Sequence, residues 1–447
     1  MTIDLEKLLA ESGRLCSCGR HHSCDIKEVI VKHRALAEIG DVVKRHGGSK
    51  VFLIADRKTF EVAGRQVCAC LEAAGIEHTS FVFPEEKLKL NNTAVGEVIL
   101  NFDQGCDLII GVGTGTIGDL SKIAASVSKR PLVTVATAPS MDGFASVTAS
   151  VILSGTKVSI AACTPEAIVA DLDILCQAPF DLLQAGIGDI LAKYVSICEW
   201  RMSSVITGEY YCEEIASLVR ASVRHCVQAA EGLAERRPEA VETVFKSLVM
   251  SGVAMSFAGL SRPASGVEHY FAHLWDMRAL EFATPVQYHG IQCGIATLFS
   301  LKLYDLIKEI KPDRAQALAY VENFSLEEWN RQLTEFLGKS AKALIEREKT
   351  EGKYDKAAHR QRLERIIENW EKILQIISEE LPEREELLAV FRTMELPSTP
   401  GEIGMSSEEV KDTFLATKDI RDKYIASRLV WDLGVIDSIA ADFQLVL

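Results

Sequence analysis

The sequence predicts an N-terminal α/β domain on a parallel, Rossmann-like sheet, followed by a larger all-helical domain. Three observations carry this reading. Short, fully apolar runs alternate with helix-length segments through the first 170 residues, a G-x-G-x-x-G turn follows one of those runs, and the strand signal fades after Pro179. Apolar strands separated by helices indicate βαβ units, whose sheet is covered on both faces.

Taken in order, Val51, Phe52, Leu53 and Ile54 centre a buried strand at 50–55, and a helical segment follows at 61–74. Leu108, Ile109 and Ile110 centre a second strand at 107–112, and Leu132 and Val133 a third at 131–135. Beyond residue 178 the helical period dominates, with segments at 181–201, 211–230, 266–280 and 361–377. Ser406 followed by Glu409 is a capping box that opens a late helix. The expected domains are therefore 1–178 and 179–447, with a cleft between them as the place for a small ligand.

The chain has 447 residues, with 49 Lys and Arg against 63 Asp and Glu, for a net charge of −14. An apolar share of 48% is enough for a core and excludes disorder as the main state. A sequence pI near 5.3 argues against nucleic acid or an anionic membrane surface as partner. The apolar stretch 247–260 is too short to span a bilayer and reads as a core helix. The start, Met1 to Glu6, has no basic segment followed by an apolar core, so no signal peptide is read. Reduced thiols at all twelve cysteines and a cytoplasmic location are the matching expectations.

Gly113-Thr114-Gly115-Thr116-Ile117-Gly118-Asp119 follows the second strand and opens a helix. Such a turn brings bare backbone to a pyrophosphate at a helix N-terminus, although a plain tight βα turn has the same pattern. Asp56 ends the first strand, where it could accept bonds from an adenosine ribose or cap a helix.

His269 and His273 stand at i, i+4, on the helix face opposite Val267, Tyr270, Phe271 and Leu274. The residue after His269 is Tyr270 and not Glu, so the base of a metalloprotease is missing. His289 beside Gly290, and Asp189 in Gly186-Ile187-Gly188-Asp189, complete a set of two His and one carboxylate, a known layout for a catalytic divalent ion. The competing readings are solvated histidines and an exposed Asp189–Lys193 ion pair. The chain separates the three by 80 and 20 residues, so spacing cannot assemble them. Near the N-terminus, Cys16, Cys18, His21, His22 and Cys24 look like a crowded zinc site without a second Cys pair.

These motifs resemble sn-glycerol-1-phosphate dehydrogenases, a branch of the iron-containing alcohol dehydrogenase, glycerol dehydrogenase and dehydroquinate synthase group. The resemblance rests on the glycine turn, Thr137 to Gly143, Gly188 to Lys193, Ser261 to His269 and His289-Gly290, and it returns at Asp419 to Tyr424. It implies reduction of dihydroxyacetone phosphate to sn-glycerol 1-phosphate with NAD(H) or NADP(H), a place in phospholipid biosynthesis, and a homo-oligomer. It further implies Asp189, His269 and His289 as ligands of one zinc or nickel ion. Asp56, Gly115, Thr116, Ile117, Gly118, Asp119, Thr137, Ser140 and Ser146 would hold the dinucleotide, and Asp142, Asp189 and His273 would face the substrate. His273, one turn from His269, is the expected proton relay, with Asp189 also in the catalytic set. Arg262 and Lys193 are the candidates for holding the substrate phosphate against the negative overall field. The alternatives are a glycerol dehydrogenase, a dehydroquinate-synthase-like lyase and a non-catalytic NAD-binding module.

Overall fold

The structure, a computed structural model, describes residues 5–85, 88–153 and 156–447. The first four residues, part of the start in which no signal peptide is read, lie outside them. The described chain divides into two compact units. One comprises residues 1–190 and 217–260, the other residues 191–216 and 261–447. This differs from the single break read at 178, because the segments 180–190 and 217–260 pack with the sheet unit.

Among the described residues the sheet unit holds eight strands: β1 Glu28–Lys32, β2 Lys50–Asp56, β3 Glu77–Phe83, β4 Leu108–Gly113, β5 Leu132–Ala136, β6 Thr148–Leu153, β7 Thr156–Ala161 and β8 Ala167–Asp171. Six of them form one parallel sheet in the order β1-β8-β5-β4-β2-β3. The three strands expected from apolar runs are three of its four inner strands; the fourth, β8, was not read from the sequence. β1 (Glu-Val-Ile-Val-Lys) and β3 are the two edges among the described residues and are mostly half-buried, so neither needs the long apolar run of a strand covered on both faces. β6 and β7 form a separate antiparallel pair.

Alternate residues of β2 serve opposite faces. Val51, Leu53 and Ala55 join one buried cluster, while Phe52 and Ile54 join another. A strand buried on both sides needs apolar residues at every position, which is why the run is continuous. β2 leads outward to β3, whereas β4 pairs on the other side of β2 and leads to β5, so the winding reverses between β2 and β4. Register pairs Ala55 with Val112 and Gly113 with Ala136, so Asp56, the glycine turn and Thr137 all lie beyond one carboxyl edge. Ligands of open parallel sheets bind outside the carboxyl ends at such a reversal.

The second unit is helical around a core that includes Trp275, Tyr304, Phe414 and Trp431. The segment expected at 181–201 is two helices, Phe180–Leu191 and Lys193–Thr207, and that at 361–377 is also two, Lys356–Glu368 and Trp370–Glu380. Periodicity survives a short break, so the sequence pattern could not locate either one. Ser406 does cap helix Ser407–Thr417 in a capping box with Glu409. Among the described residues one helix, Pro238–Ala258, is long and apolar enough to cross a membrane, and most of it is buried in the protein.

Candidate active site

Helix Gly115–Ser128 starts within the glycine turn, earlier than its apolar residues suggest, with Thr114 at its N-cap. The glycines of this region divide by what a side chain would meet. A Cβ on Gly111 would lie 2.4 Å from Ser121 Oγ, and one on Gly113 would lie 2.7 Å from Ile117. Those two glycines let strand and helix approach. Gly118 has no heavy atom within 4 Å of its would-be Cβ, and Gly115 meets only ordinary contact with Met141. Packing therefore does not require glycine at 115 or 118, and the helix N-terminus there has room for a ligand.

Asp56 caps the next helical turn. Its carboxylate accepts from Thr59 N at 2.8 Å, and Thr59 Oγ1 accepts from Asp56 N at 3.1 Å. The cap reading is thus realised. Asp119 pairs with Lys122 at 2.7 Å and accepts from Ser150 N at 2.8 Å. Lys122 was not singled out by sequence, because a lysine four residues past a glycine turn reads as a solvated helix face. It is buried, and its ammonium donates to Gly143 O, Ser146 Oγ and Thr148 O. That single cation holds the 143–148 loop onto the helix, and Ser146 owes its position to it. Thr137 and Ser140 are buried in the preceding loop.

The same loop reaches Asp189. Asp142 N donates to Asp189 Oδ2 at 2.7 Å, and Asp142 Oδ2 accepts from Ser251 Oγ at 2.8 Å. A Cβ on Gly186 would come within 1.8 Å of Pro139 O, so only glycine lets helix Phe180–Leu191 lie this close to the loop. Asp189 and Lys193 are both buried, which removes the exposed ion pair as an account of them.

In the helical unit, His269 sits in the first turn of helix Val267–Phe282 and His289 at the start of helix His289–Lys308. The donor atoms of His269, His289 and Cys293 lie within 4.8 Å of one another. His273 stacks on His289 with ring centroids 5.8 Å apart. His269 is buried, not solvated, and its Nδ1 is 2.7 Å from Glu268 Oε1. A carboxylate there fixes the proton on Nδ1 and turns Nε2 into the donor, the usual support of a metal-bound imidazole. Sequence reasoning missed both Glu268 and Cys293. The i, i+4 spacing of His289 and Cys293 was the available signal for the latter.

Glu199 closes this layer from below. It accepts from Val267 N, Ala426 N and Tyr304 Oη, and burial together with Glu268 pushes its carboxyl up to about 8. Both carboxylates reach the place where Gly266 would carry a side chain, at 2.6 and 2.7 Å.

Arg262, a phosphate candidate, is buried and committed. Its guanidinium meets both Glu209 oxygens, at 2.7 and 2.8 Å, and donates to Tyr424 O and Ser203 Oγ. Lys423 donates to Ser261 O and Ser265 O. The Ser261–His269 and Asp419–Tyr424 stretches therefore brace one another, which explains their joint presence in the sequence pattern.

Comparison with known proteins identifies the family. Residues 30–179 match the family model described as iron-containing alcohol dehydrogenase. The glycerol-1-phosphate dehydrogenase [NAD(P)+] of Geobacillus thermodenitrificans is 32% identical over 307 residues, covering 67% of this chain and 76% of that protein. That of Methanosarcina acetivorans is 36% identical, with 67% and 85% covered. Among solved structures, the glycerol dehydrogenase of Schizosaccharomyces pombe aligns with a TM-score of 0.59 at 18% identity, over 95% of this chain and 93% of that one. The alcohol dehydrogenase of Oenococcus oeni aligns with a TM-score of 0.60 at 15% identity, over 94% and 98%. With its parallel sheet, glycine turn and histidine cluster, the chain belongs to the glycerol-1-phosphate dehydrogenase family of oxidoreductases, within the iron-containing alcohol dehydrogenase group.

Proposed function

We propose that this protein reduces dihydroxyacetone phosphate to sn-glycerol 1-phosphate with NADH or NADPH, and that Asp189, His269 and His289 hold the zinc or nickel ion it uses. The observation that carries the reading is the buried His269–Glu268 pair beside His289, an imidazole set in the tautomer a metal needs. Two imidazoles with a buried carboxylate suit a divalent ion of the zinc or nickel kind. When bound, such an ion polarises the ketone, and the reduced dinucleotide supplies the hydride.

The chain's own residues do the rest. The Asp142 amide orients Asp189, and Asp142 and His273 face the substrate. His273, one turn from His269, delivers the proton that the product alkoxide takes up. Gly115 to Gly118 leave space for the pyrophosphate at a helix N-terminus, with Asp56 on the ribose and Thr137 and Ser140 beside it. Asp119 and Ser146 are positioning residues that act through Lys122. A homo-oligomer in the cytoplasm belongs to the same reading.

The test is NADH oxidation with dihydroxyacetone phosphate against free dihydroxyacetone. One charge-assisted contact to the phosphate contributes about 1.5–3 kcal/mol, or roughly one to two decades. A kcat/KM preference well above tenfold for the phosphorylated ketone is expected. Equal efficiencies would overturn the reading in favour of a glycerol dehydrogenase.

A further inference from the structure

We propose that Cys16, Cys18 and His22 form a second metal site, a structural zinc centre that fastens the N-terminal segment to helix Pro238–Ala258. The donor atoms of these three residues lie within 4.8 Å of one another. Cys18 Sγ and His22 Nε2 are 3.3 Å apart. Two such donors on a tetrahedral zinc, with bonds of about 2.3 and 2.05 Å, would be separated by roughly 3.5 Å.

The imidazole is prepared for this role by its other nitrogen. His22 Nδ1 is 2.8 Å from Phe257 O, a carbonyl that can only accept, so Nδ1 holds the proton and Nε2 presents its lone pair to the thiols. The ring also stacks on Phe257, with centroids 5.9 Å apart, and is buried. The thiols are arranged by a tight turn. Gly19 N donates to Cys16 O and Cys16 N to Arg20 O, with Gly19 at a φ of +83° that favours glycine. Cys18 N points at Cys16 Sγ from 3.4 Å, an amide that stabilises a thiolate. Cys24 Sγ lies instead against Ile26 O at 4.0 Å, outside the group of donor atoms formed by Cys16, Cys18 and His22.

Thiolate donors select zinc over magnesium or calcium. Helix Leu5–Ala10 has six residues and buries only Leu5, so the N-terminal segment brings little apolar surface to hold it in place.

Two measurements test the site. Metal analysis of the purified protein should show about one equivalent less zinc in Cys16→Ser/Cys18→Ser than in wild type, with ketone reduction retained and the Cys24→Ser content unchanged. Equal zinc in the double variant and wild type would overturn the proposal. The second uses unmodified protein, so it does not depend on the variant folding. Timed alkylation read by mass spectrometry should find Cys16 and Cys18 protected, and at least about tenfold faster after a chelator. Cys68 and Cys70, remote in sequence, should be unaffected. Chelator-independent rates at Cys16 and Cys18 would equally sink it. The same spectra report every other cysteine, so a fourth thiolate donor would show as a third protected site.

Discussion

Glu268 Oε1 stands 2.7 Å from His269 Nδ1, both side chains are buried, and the same oxygen accepts from Gly266 N at 2.7 Å. The carboxylate thus fixes the tautomer of the imidazole and the start of its helix together. Replacing Glu268 by Gln keeps the shape and removes the charge. Metal affinity should fall about 10–100-fold, as for other partners of metal-bound histidines, with the fold intact. His269→Ala should lose the ion altogether. Competition with a metal indicator measures both, and wild-type affinity in Glu268→Gln would contradict this account.

Glu199 gives a pH signature. Its carboxyl is held near 8 by burial and by Glu268, against about 4.3 in an unfolded chain. The folded state therefore binds this proton more tightly than the unfolded state. Its contribution to stability falls as pH rises from about 4.3 and is fully lost above about 8. Thermal midpoints of the wild type should decline across pH 6 to 8.5, and Glu199→Gln should flatten that slope. An unchanged slope would remove Glu199 as its source.

The glycines separate packing from ligand space. Gly186→Ala forces a Cβ to 1.8 Å from Pro139 O and should cost about 1–3 kcal/mol or more, with loss of activity. Gly118→Ala meets no protein atom and should raise helix stability by up to about 1 kcal/mol. Its effect should instead be a higher KM for the dinucleotide. Denaturant midpoints and NADH titrations read the two outcomes, and an unchanged KM in Gly118→Ala would place the dinucleotide elsewhere.

Arg262 is bound on both sides by Glu209 and Tyr424 O. Arg262→Gln leaves the partly exposed Glu209 without its cation and Tyr424 O without a charged donor, and should destabilise the helical unit by about 1–3 kcal/mol. A loss of stability is expected before any selective loss of phosphate recognition. A stable variant that prefers the unphosphorylated ketone would return Arg262 to the substrate.

Asp56 both caps a helical turn and stands at the carboxyl edge of the sheet. Asp56→Ala should cost about 0.5–2 kcal/mol through the lost cap. It should also narrow the difference between NADH and NADPH if the same carboxylate meets the ribose. An unchanged cofactor ratio with the stability loss present would leave Asp56 as a cap alone.

The sequence by itself determined three of the four central strands, the glycine turn and the identity of the histidine pair, and it missed the short buried β8. Each is written in a local pattern: a continuous apolar run for β2, β4 and β5, and a helical offset of four for His269 and His273. It also marked Cys16, Cys18 and His22, which are close in the chain. The edge strands β1 and β3 were not legible, since a strand paired on one side can carry polar residues such as Glu28, Lys32 and Ser80. Only the tertiary structure decided the fate of the charged groups. Lys122, Glu199, Arg262 and Glu268 carry residue types that usually meet water, and the chain gives no local sign that they are buried. Burial and pairing depend on which distant segments pack together, as Lys122 with the 143–148 loop and Arg262 with Glu209 and Tyr424. A local pattern can report the face a residue occupies, but its dielectric surroundings and its partner are properties of the assembled fold.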